Sequence, residues 1–595
     1  MCIFYACFIY YNRGMIDAAA NRDLRIENSS VELKNLLSEF ESRSFLVQIA
    51  YLSNRHVRHR TGYVKLRSPI RQLTYLTSLF LSTEQNDARV FDPTGPDNDK
   101  IIRLLNDIDS HYREREANSD AVKEFIVAST FFNFYSNAPL TYVEQDIERI
   151  ERTFQHQDVF IKSKTGLEIK DFIEFFKLIT ETEKQNYQKH VDYNLTQHDI
   201  DVISKSISNP KALTPFEKLR IDFFDNRINE VLISKAKLYE TMPAEKVNKM
   251  LELFTLQRAA DPAYIYYNDI SPYLHKPILQ PDWDHIAFVF SKQLINAMYE
   301  YLFKLCSADT LSERRMLEKR DKYLEQKTLE VLTDFFGSKA KIYTNYKVNG
   351  NEKDILVIEG ERAYIVECKA NRQRPPLRDI NRAWERIRND FNKCITKGFN
   401  QANEVFKLFE RAEHFLLKNK NGKEVSIDAA NIKDVFIIVV TQERFGQIQC
   451  DLDYLLEMGE DDVYPYSVYI DDLETFLITL KRRKEHLSEF RDFLYHREDL
   501  HGRLYCYDEM EMFAYFIFDR DNFLKYCNSD LDIHSSPDIN LIFDELYKVG
   551  LGLKNEIGLP DKLNTRSVEA EAFISKNKLA LPERVLTFKK SIAEV

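Results

Sequence analysis

The sequence predicts an α/β core, a mixed sheet flanked by helices, set between a large mainly α-helical N-terminal region and a helix-rich C-terminal region. Three observations predict it. Glycine and proline together supply 32 of 595 residues, roughly 5% where an ordinary chain carries about 12%. Breakers are therefore scarce, and long helices with short connections follow. Up to about residue 310, apolar residues recur at three- and four-residue spacing, the period of a helix with one buried face. From residue 312 short β-like runs alternate with helical stretches in the order α-β-β-β-α-β-α-β-α, the pattern of a layered α/β fold.

Residues 1–14 stand apart. The run Cys2 to Tyr11 is about half the roughly 20 residues that span a bilayer, and it lacks the basic start of a secretion signal. A start at Met15 would make it non-native sequence. In the region 15–311 the segments Val31 to Leu46, Ile101 to Tyr112, Ile147 to Phe154 and Phe172 to Ile179 read as helices. Turn signals at Asp92-Pro93-Thr94-Gly95-Pro96, Ser208-Asn209-Pro210, Asp261-Pro262 and Gln280-Pro281-Asp282 separate them. His285 to Cys306 reads as a buried helix interrupted by Lys292 and Glu300.

The core is placed at 312–482. Ser312 to Phe336 is a charged amphipathic helix stopping at Gly337. Strands follow at Lys341 to Val348, Asp354 to Glu359 and Arg362 to Lys369, the last two joined by a tight hairpin at Gly360. Pro375-Pro376 breaks the chain before a helix from Arg378 to about Lys418, kinked at Gly398. The apolar strand Asp434 to Thr441 comes next, then the strand Tyr466 to Ile470 leading into the helix Asp472 to Leu480. The region 483–595 mixes aromatic-rich helices with polar loops and carries no motif with evident chemistry.

Composition excludes several classes. Apolar residues are 44% and charged residues 30%, a core-forming chain and not a disordered one. The eight cysteines are scattered, with no CxxC, which argues against a disulfide framework or a structural zinc and fits a reducing cytoplasm. There is no GxxxxGK[ST], GxSxG, HExxH or GxGxxG. Net charge is −11, yet Ser312 to Lys420 holds 24 Lys/Arg against 17 Asp/Glu. A basic block inside an acidic chain suits a polyanion partner, because binding follows the local field.

The chemistry concentrates between Asp354 and Lys369. Alternate residues of a strand share a face, so Glu367 and Lys369 project together, and the hairpin returns Asp354 beside them. Two carboxylates and an ammonium thus meet at one edge of the sheet. Hard oxygens of this kind suit magnesium, which takes one or two carboxylates plus water and substrate phosphate. A lysine there can help to orient the attacking water, or deprotonate it as the neutral amine, and as the ammonium it neutralises charge building on phosphate. The rival is an ordinary exposed hairpin with a salt-bridged Lys369. Charge closing the apolar run Ala363 to Val366 speaks against that.

Asp354, the triplet Glu367-Cys368-Lys369 and the order of elements over 312–482 resemble the PD-(D/E)xK nuclease superfamily, the restriction-endonuclease-like fold. The resemblance implies a metal-dependent nuclease that hydrolyses phosphodiester bonds of DNA, with Mg2+ or Mn2+ as cofactor. It implies Asp354 and Glu367 as metal ligands and Lys369 as the residue acting on the nucleophile. Glu325 is the expected further ligand from the first helix, with Glu330 as its fallback, and Gln401 the expected supporting glutamine. Lys353 departs from the motif, which has proline there. The bare triplet is weak on its own: Glu325-Gln326-Lys327 also satisfies it, but on a helix.

Downstream, Arg372, Arg374, Arg378, Arg382 and Arg386 are the expected nucleic-acid contacts, the last three at four-residue spacing along one helix face. The alternative is a solvated face paired with Asp379, Glu385 and Asp390. A second basic run, Arg55, Arg58, Arg60, Lys65, Arg67 and Arg71 with His56, His59 and Tyr63 interleaved, reads as an extension of a nucleic-acid path or as a solvated surface. DNA is the first expected partner and RNA the second, with a homo-oligomer or an accessory defence protein beside them and no membrane. A stand-alone nuclease with large accessory regions is analogous to anti-phage or restriction machinery of bacteria. The competing reading is a non-catalytic nucleic-acid or protein-binding module on a nuclease-like fold.

Overall fold

The computed structural model describes residues 18–59, 65–113, 121–135, 141–191, 226–377, 379–412, 414–419 and 421–554, with isolated positions between 198 and 217 and at 556. Residues 1–14, the Ser208-Asn209-Pro210 turn, Arg378 and much of the Arg55–Arg71 run lie outside the residues or side chains described.

The core is a mixed α/β layer. Its first helix, α1 (Thr310–Phe336), is capped by Asp309, whose carboxylate accepts the Ser312 N–H at 2.9 Å. Gly337, at φ 57°, ends it. Strands β1 (Ala340–Val348), β2 (Asn351–Glu359) and β3 (Arg362–Lys369) form an antiparallel meander. Asn349 and Gly350, both with positive φ, make the first turn, and Gly360 at φ 59° opens the second. Helices α2 (Ile380–Phe391) and α3 (Lys397–Glu410) follow, joined by a π-helical turn over Asn392–Thr396. Then come β4 (His414–Lys418), β5 (Glu424–Asp428), β6 (Asp434–Thr441), β7 (Tyr466–Tyr469) and α4 (Ile470–Lys481). The seven strands lie in the order β5-β4-β1-β2-β3-β6-β7. Strands β3, β6 and β7 run parallel, and the other neighbours are antiparallel.

The expectations need four corrections here. The helix expected to reach Lys418 ends at Glu410, and the hairpin β4–β5 takes its place; its apolar residues Phe415, Leu416 and Leu417 fit either period. The kink lies in the π turn just before Gly398. His285 to Cys306 is not one helix: His285–Ile286 pairs with Ile233–Ser234, and the helix is Gln293–Ser307. Val31 to Leu46 is split between the helices Ala18–Ser38 and Ser42–His59.

Both sheet faces are covered, which explains the near-continuous apolar runs of β3 and β6. On one face Leu324, Val331 and Leu332 of α1 and Leu473 and Phe476 of α4 pack on Val357, Tyr364 and Val366. The C-terminal region shares this core through Phe490, Phe493 and Phe513, with Phe513 stacked on Phe476 at 3.7 Å. On the other face Ile387, Phe391, Phe399, Ala402 and Val405 cover Leu356, Ala363, Ile365 and Val439, joined by Ile126 from the N-terminal region. A Cβ on Gly398 would stand 2.8 Å from Val439 Cγ1 and 3.3 Å from Lys369 Cγ. Only glycine lets α3 approach the strands so closely.

The N-terminal helix Val143–Phe154 joins the core through buried charge. Lys327 of α1 donates to Glu148 at 2.6 Å and to Glu474 of α4 at 2.5 Å. Gln145 donates to Glu474 at 3.0 Å, and Arg149 pairs with Asp471 and with Tyr469 Oη. Such a network is neutral only while complete; removing one partner leaves an unpaired buried charge. Lys327→Met is therefore expected to lower unfolding free energy by about 3 kcal/mol in urea denaturation of the full chain. Pairing it with Glu474→Gln should recover part of that loss; strictly additive losses would count against the network.

Candidate active site

The local geometry begins with an irregular strand. Asn345 in β1 adopts φ 46°, a left-handed conformation that asparagine tolerates. The ladder pairs Thr344 with Ile355 and Tyr346 with Lys353, while Asn345 breaks it opposite Asp354. Along β1, Ile342 packs toward α1, but Tyr343, Tyr346 and Val348 all pack toward α3. A spacing of three between Tyr343 and Tyr346 is impossible in a regular strand, so the chain twists at Asn345, beside the residue that matters.

Three expected residues do converge. Lys369 Nζ donates to Glu367 Oε2 at 2.8 Å and lies 3.5 Å from Asp354 Oδ2. The same Asp354 oxygen accepts the Cys368 N–H at 2.7 Å. Glu367 is 1% exposed, and its Oε1 is buried with no hydrogen-bond partner. Burial first, and then the Asp354 charge, push the Glu367 carboxyl up to about 7 against the restraining charge of Lys369. Glu325 is within electrostatic reach from α1: burial and Asp354 raise its carboxyl, and Asn345 donates to it at 3.4 Å. Burial alone would depress the Lys369 ammonium, but Glu367 and Asp354 hold it above its ordinary value.

The remaining expected residues are placed less uniformly. Gln401 lies on the second turn of α3; its side-chain oxygen is buried without a partner, and its main-chain carbonyl accepts Lys353 Nζ at 2.7 Å. Glu330, the fallback ligand, is instead bound by Arg152 at 2.8 Å. Arg372 is held by Glu300 at 2.5 Å and Glu443 at 2.9 Å, above the Phe303 ring. Arg374 pairs with Asp390 at 2.7 Å, and Arg386 donates to the Pro375 carbonyl at 2.9 Å. Arg382 is exposed. Helix α2 begins at Ile380 with Asp379 as its cap, and Arg378 lies outside the described residues. In the second basic run, Lys65 and Arg67 pair with Asp99 at 3.3 Å and Asp109 at 3.8 Å.

Two residues of this neighbourhood escaped the sequence reading. The Tyr346 hydroxyl is buried with no partner among the described residues; burial, and then Glu367 and Asp354, raise it well above its ordinary value. Lys353, noted only as a departure from the motif, is a buried cation that favours the ionised form of Glu367. Neither is signalled by spacing, because the twist at Asn345 decides which way they face.

The donor set fits magnesium or manganese. Asp354 and Glu367 each tie one oxygen to the protein, and Glu367 leaves the other buried and unsatisfied. Among the described residues, no three His, Cys, Asp or Glu side chains form a ready-made metal cluster. Magnesium does not need one, since water and phosphate complete its shell.

The Glu367 carboxyl carries a stability signature. Its folded value of about 7 stands above the ordinary 4.5. The unfolded chain therefore ionises first, and stability falls as pH rises from 4.5 to 7. In chelator, Glu367→Gln also costs Lys369 a partner at every pH, so the signature is the difference: relative to wild type the variant is expected to gain about 3 kcal/mol between pH 4.5 and pH 8, as read by urea denaturation. An equal effect at both pH values would mean that Glu367 is not held against its charge.

Comparison of the chain with family models, with curated proteins and with solved structures returns no match in any of the three.

Proposed function

We propose that the chain is a metal-dependent nuclease that hydrolyses phosphodiester bonds of DNA, using Mg2+ or Mn2+. One observation carries the reading: the Asp354 and Glu367 carboxylates gather within 3.5 Å of the Lys369 ammonium, with a buried carboxylate oxygen left unsatisfied. Orphaned atoms also occur in structural pairs such as Arg149–Asp471. The free Glu367 oxygen counts here only because Asp354 and Lys369 converge on the same point and magnesium takes carboxylate oxygens of this kind.

On this reading Asp354 and Glu367 hold the cation, with Glu325 assisting from α1. A bound Mg2+ supplies charge neutralisation at the phosphate and acidifies a bound water. Lys369, kept as an ammonium by Glu367 and Asp354, orients the water, whose proton passes to solvent while solvent returns one to the departing ester oxygen. Water oxygen adds to phosphorus, the bond to one bridging ester oxygen breaks, and a phosphomonoester and a hydroxyl group leave. Gln401 supports the site from α3. The large accessory regions around such a core suit a role in bacterial anti-phage defence or restriction, and the described cysteines, all free, suit the cytoplasm. Among the described residues no helix is long and apolar enough to cross a membrane.

The test uses the purified full chain with supercoiled plasmid and labelled RNA, in magnesium, manganese and chelator. Cleavage of plasmid is expected only with the metals, and Asp354→Ala or Lys369→Ala should slow it by about 100-fold or more. Equal cleavage by wild type and variants would sink the mechanism. Salt-sensitive DNA binding without cleavage would favour the binding-module reading, and preferred cleavage of RNA would redirect the substrate.

A further inference from the structure

The strongest feature that the nuclease reading does not use is a buried ammonium beside it. Lys353 is 1% exposed and immediately precedes Asp354. Its Nζ donates to the Gln401 carbonyl at 2.7 Å and to Glu404 Oε2 at 2.7 Å. The same Glu404 oxygen accepts from Asn351 Nδ2 at 3.1 Å. Two donors at the start of β2 therefore fasten onto one carboxylate of α3, and one of them reaches further, to the helix turn that carries Gln401.

This arrangement is costly for a mere packing role. Burying an ammonium is repaid only by good partners, and an apolar side chain would fill the space between hairpin and helix without that cost. What an apolar side chain lacks is direction. Lys353 fixes the distance between the residue before Asp354 and the main chain of Gln401. Gly398, three residues before Gln401, is the point where the same helix closes on Lys369 and Val439. Helix α3 is thus pinned to β2 at Gln401 and to β3 and β6 at Gly398. The first contact is made by the residue next to Asp354, and the second is made against Lys369, two residues past Glu367.

We propose that Lys353 is a positioning residue of this site, holding the Gln401 turn of α3 at a set distance from Asp354 and Glu367 so that one divalent cation finds its ligands already spaced. The inference rests on the nuclease reading but concerns cation binding, which is measured without substrate. Lys353 touches no reacting atom; it acts through the helix.

The experiment is calorimetric titration of Mn2+ into the full chain without nucleic acid, for wild type, Lys353→Met, Glu404→Gln and the double variant. Amide exchange over 398–405 and thermal melting are followed in parallel. Lys353→Met is expected to weaken Mn2+ binding by about 10-fold or more and to quicken exchange around Gln401. Glu404→Gln should shift affinity the same way by less, and the double variant should resemble Lys353→Met alone. Wild-type affinity in Lys353→Met, whatever happens to its melting temperature, overturns the proposal. If that variant does not fold, Glu404→Gln, at the exposed end of the bridge, decides by the same measure: unchanged affinity overturns it. Wild type that binds no Mn2+ defeats both this inference and the nuclease reading. Wild type that binds Mn2+ with the expected variant losses but cleaves nothing upholds the positioning role and removes the nuclease alone.

Discussion

A buried carboxylate with one oxygen unsatisfied is the constraint around which the core is arranged. Glu367 sits near the end of β3, paired with β6 at Val439 while the ladder to β2 stops one residue earlier at Val366, and it is 1% exposed. A charge there is unfavourable unless something meets it. Lys369 meets one oxygen and nothing meets the other. Asp354 adds repulsion instead of relief. A core evolved only to be stable would replace this trio with apolar residues of the same size. Its presence beside a helix that closes to glycine distance is the physical ground for reading it as a site.

Topology converts that local tension into a site with a rigid frame. The parallel pairing of β3 with β6 buries both faces of β3, so Glu367 and Lys369 cannot swing outward. The twist at Asn345 breaks the ladder beside Asp354 and turns Tyr346 and Lys353 toward α3. Strain of this kind in a non-glycine residue costs of order 1 kcal/mol or more. Here it falls at the one point of the hairpin where Asp354 must reach the end of the neighbouring strand.

Much of this frame was legible in the sequence, and the reasons for the exceptions are physical. Strand parity placed Glu367 and Lys369 together, and a two-residue turn at Gly360 returned Asp354 to them; both rules are local, so both held. The hairpin β4–β5 was hidden because Phe415, Leu416 and Leu417 satisfy helix and strand periods alike, and only pairing with β1 at Lys347 and Lys418 decides between them. The arginines illustrate a second limit. Arg372 is five residues past Glu367 in sequence, which suggested phosphate contact, yet its partner Glu300 is 72 residues away. Lys353 was passed over because the strand was expected to start at Asp354, leaving Lys353 outside it as a departure from the motif. The strand in fact begins at Asn351, and the twist on the opposing strand at Asn345 turns the lysine inward.

The fate of the positive charge follows from the same pairings. Taken as sequence, residues 312–420 look like a basic surface. In the fold Lys327 is spent on Glu148 and Glu474, Lys353 on Glu404, Lys369 on Glu367, Arg372 on Glu300 and Glu443, and Arg374 on Asp390. Several of these partners come from outside the segment, so these five cations are committed inside the fold and are not offered to a ligand. Exposed cations remain on α2, the π turn and α3, at Arg382, Arg388, Lys393 and Lys397, and Lys397 stands next to Gly398, which faces Lys369. On the nuclease reading, the cations nearest the reacting phosphate, Lys353 and Lys369, are already tied to carboxylates. Charge for that phosphate would then come from the divalent cation held by Asp354 and Glu367, with the exposed lysines and arginines drawing the rest of the polyanion.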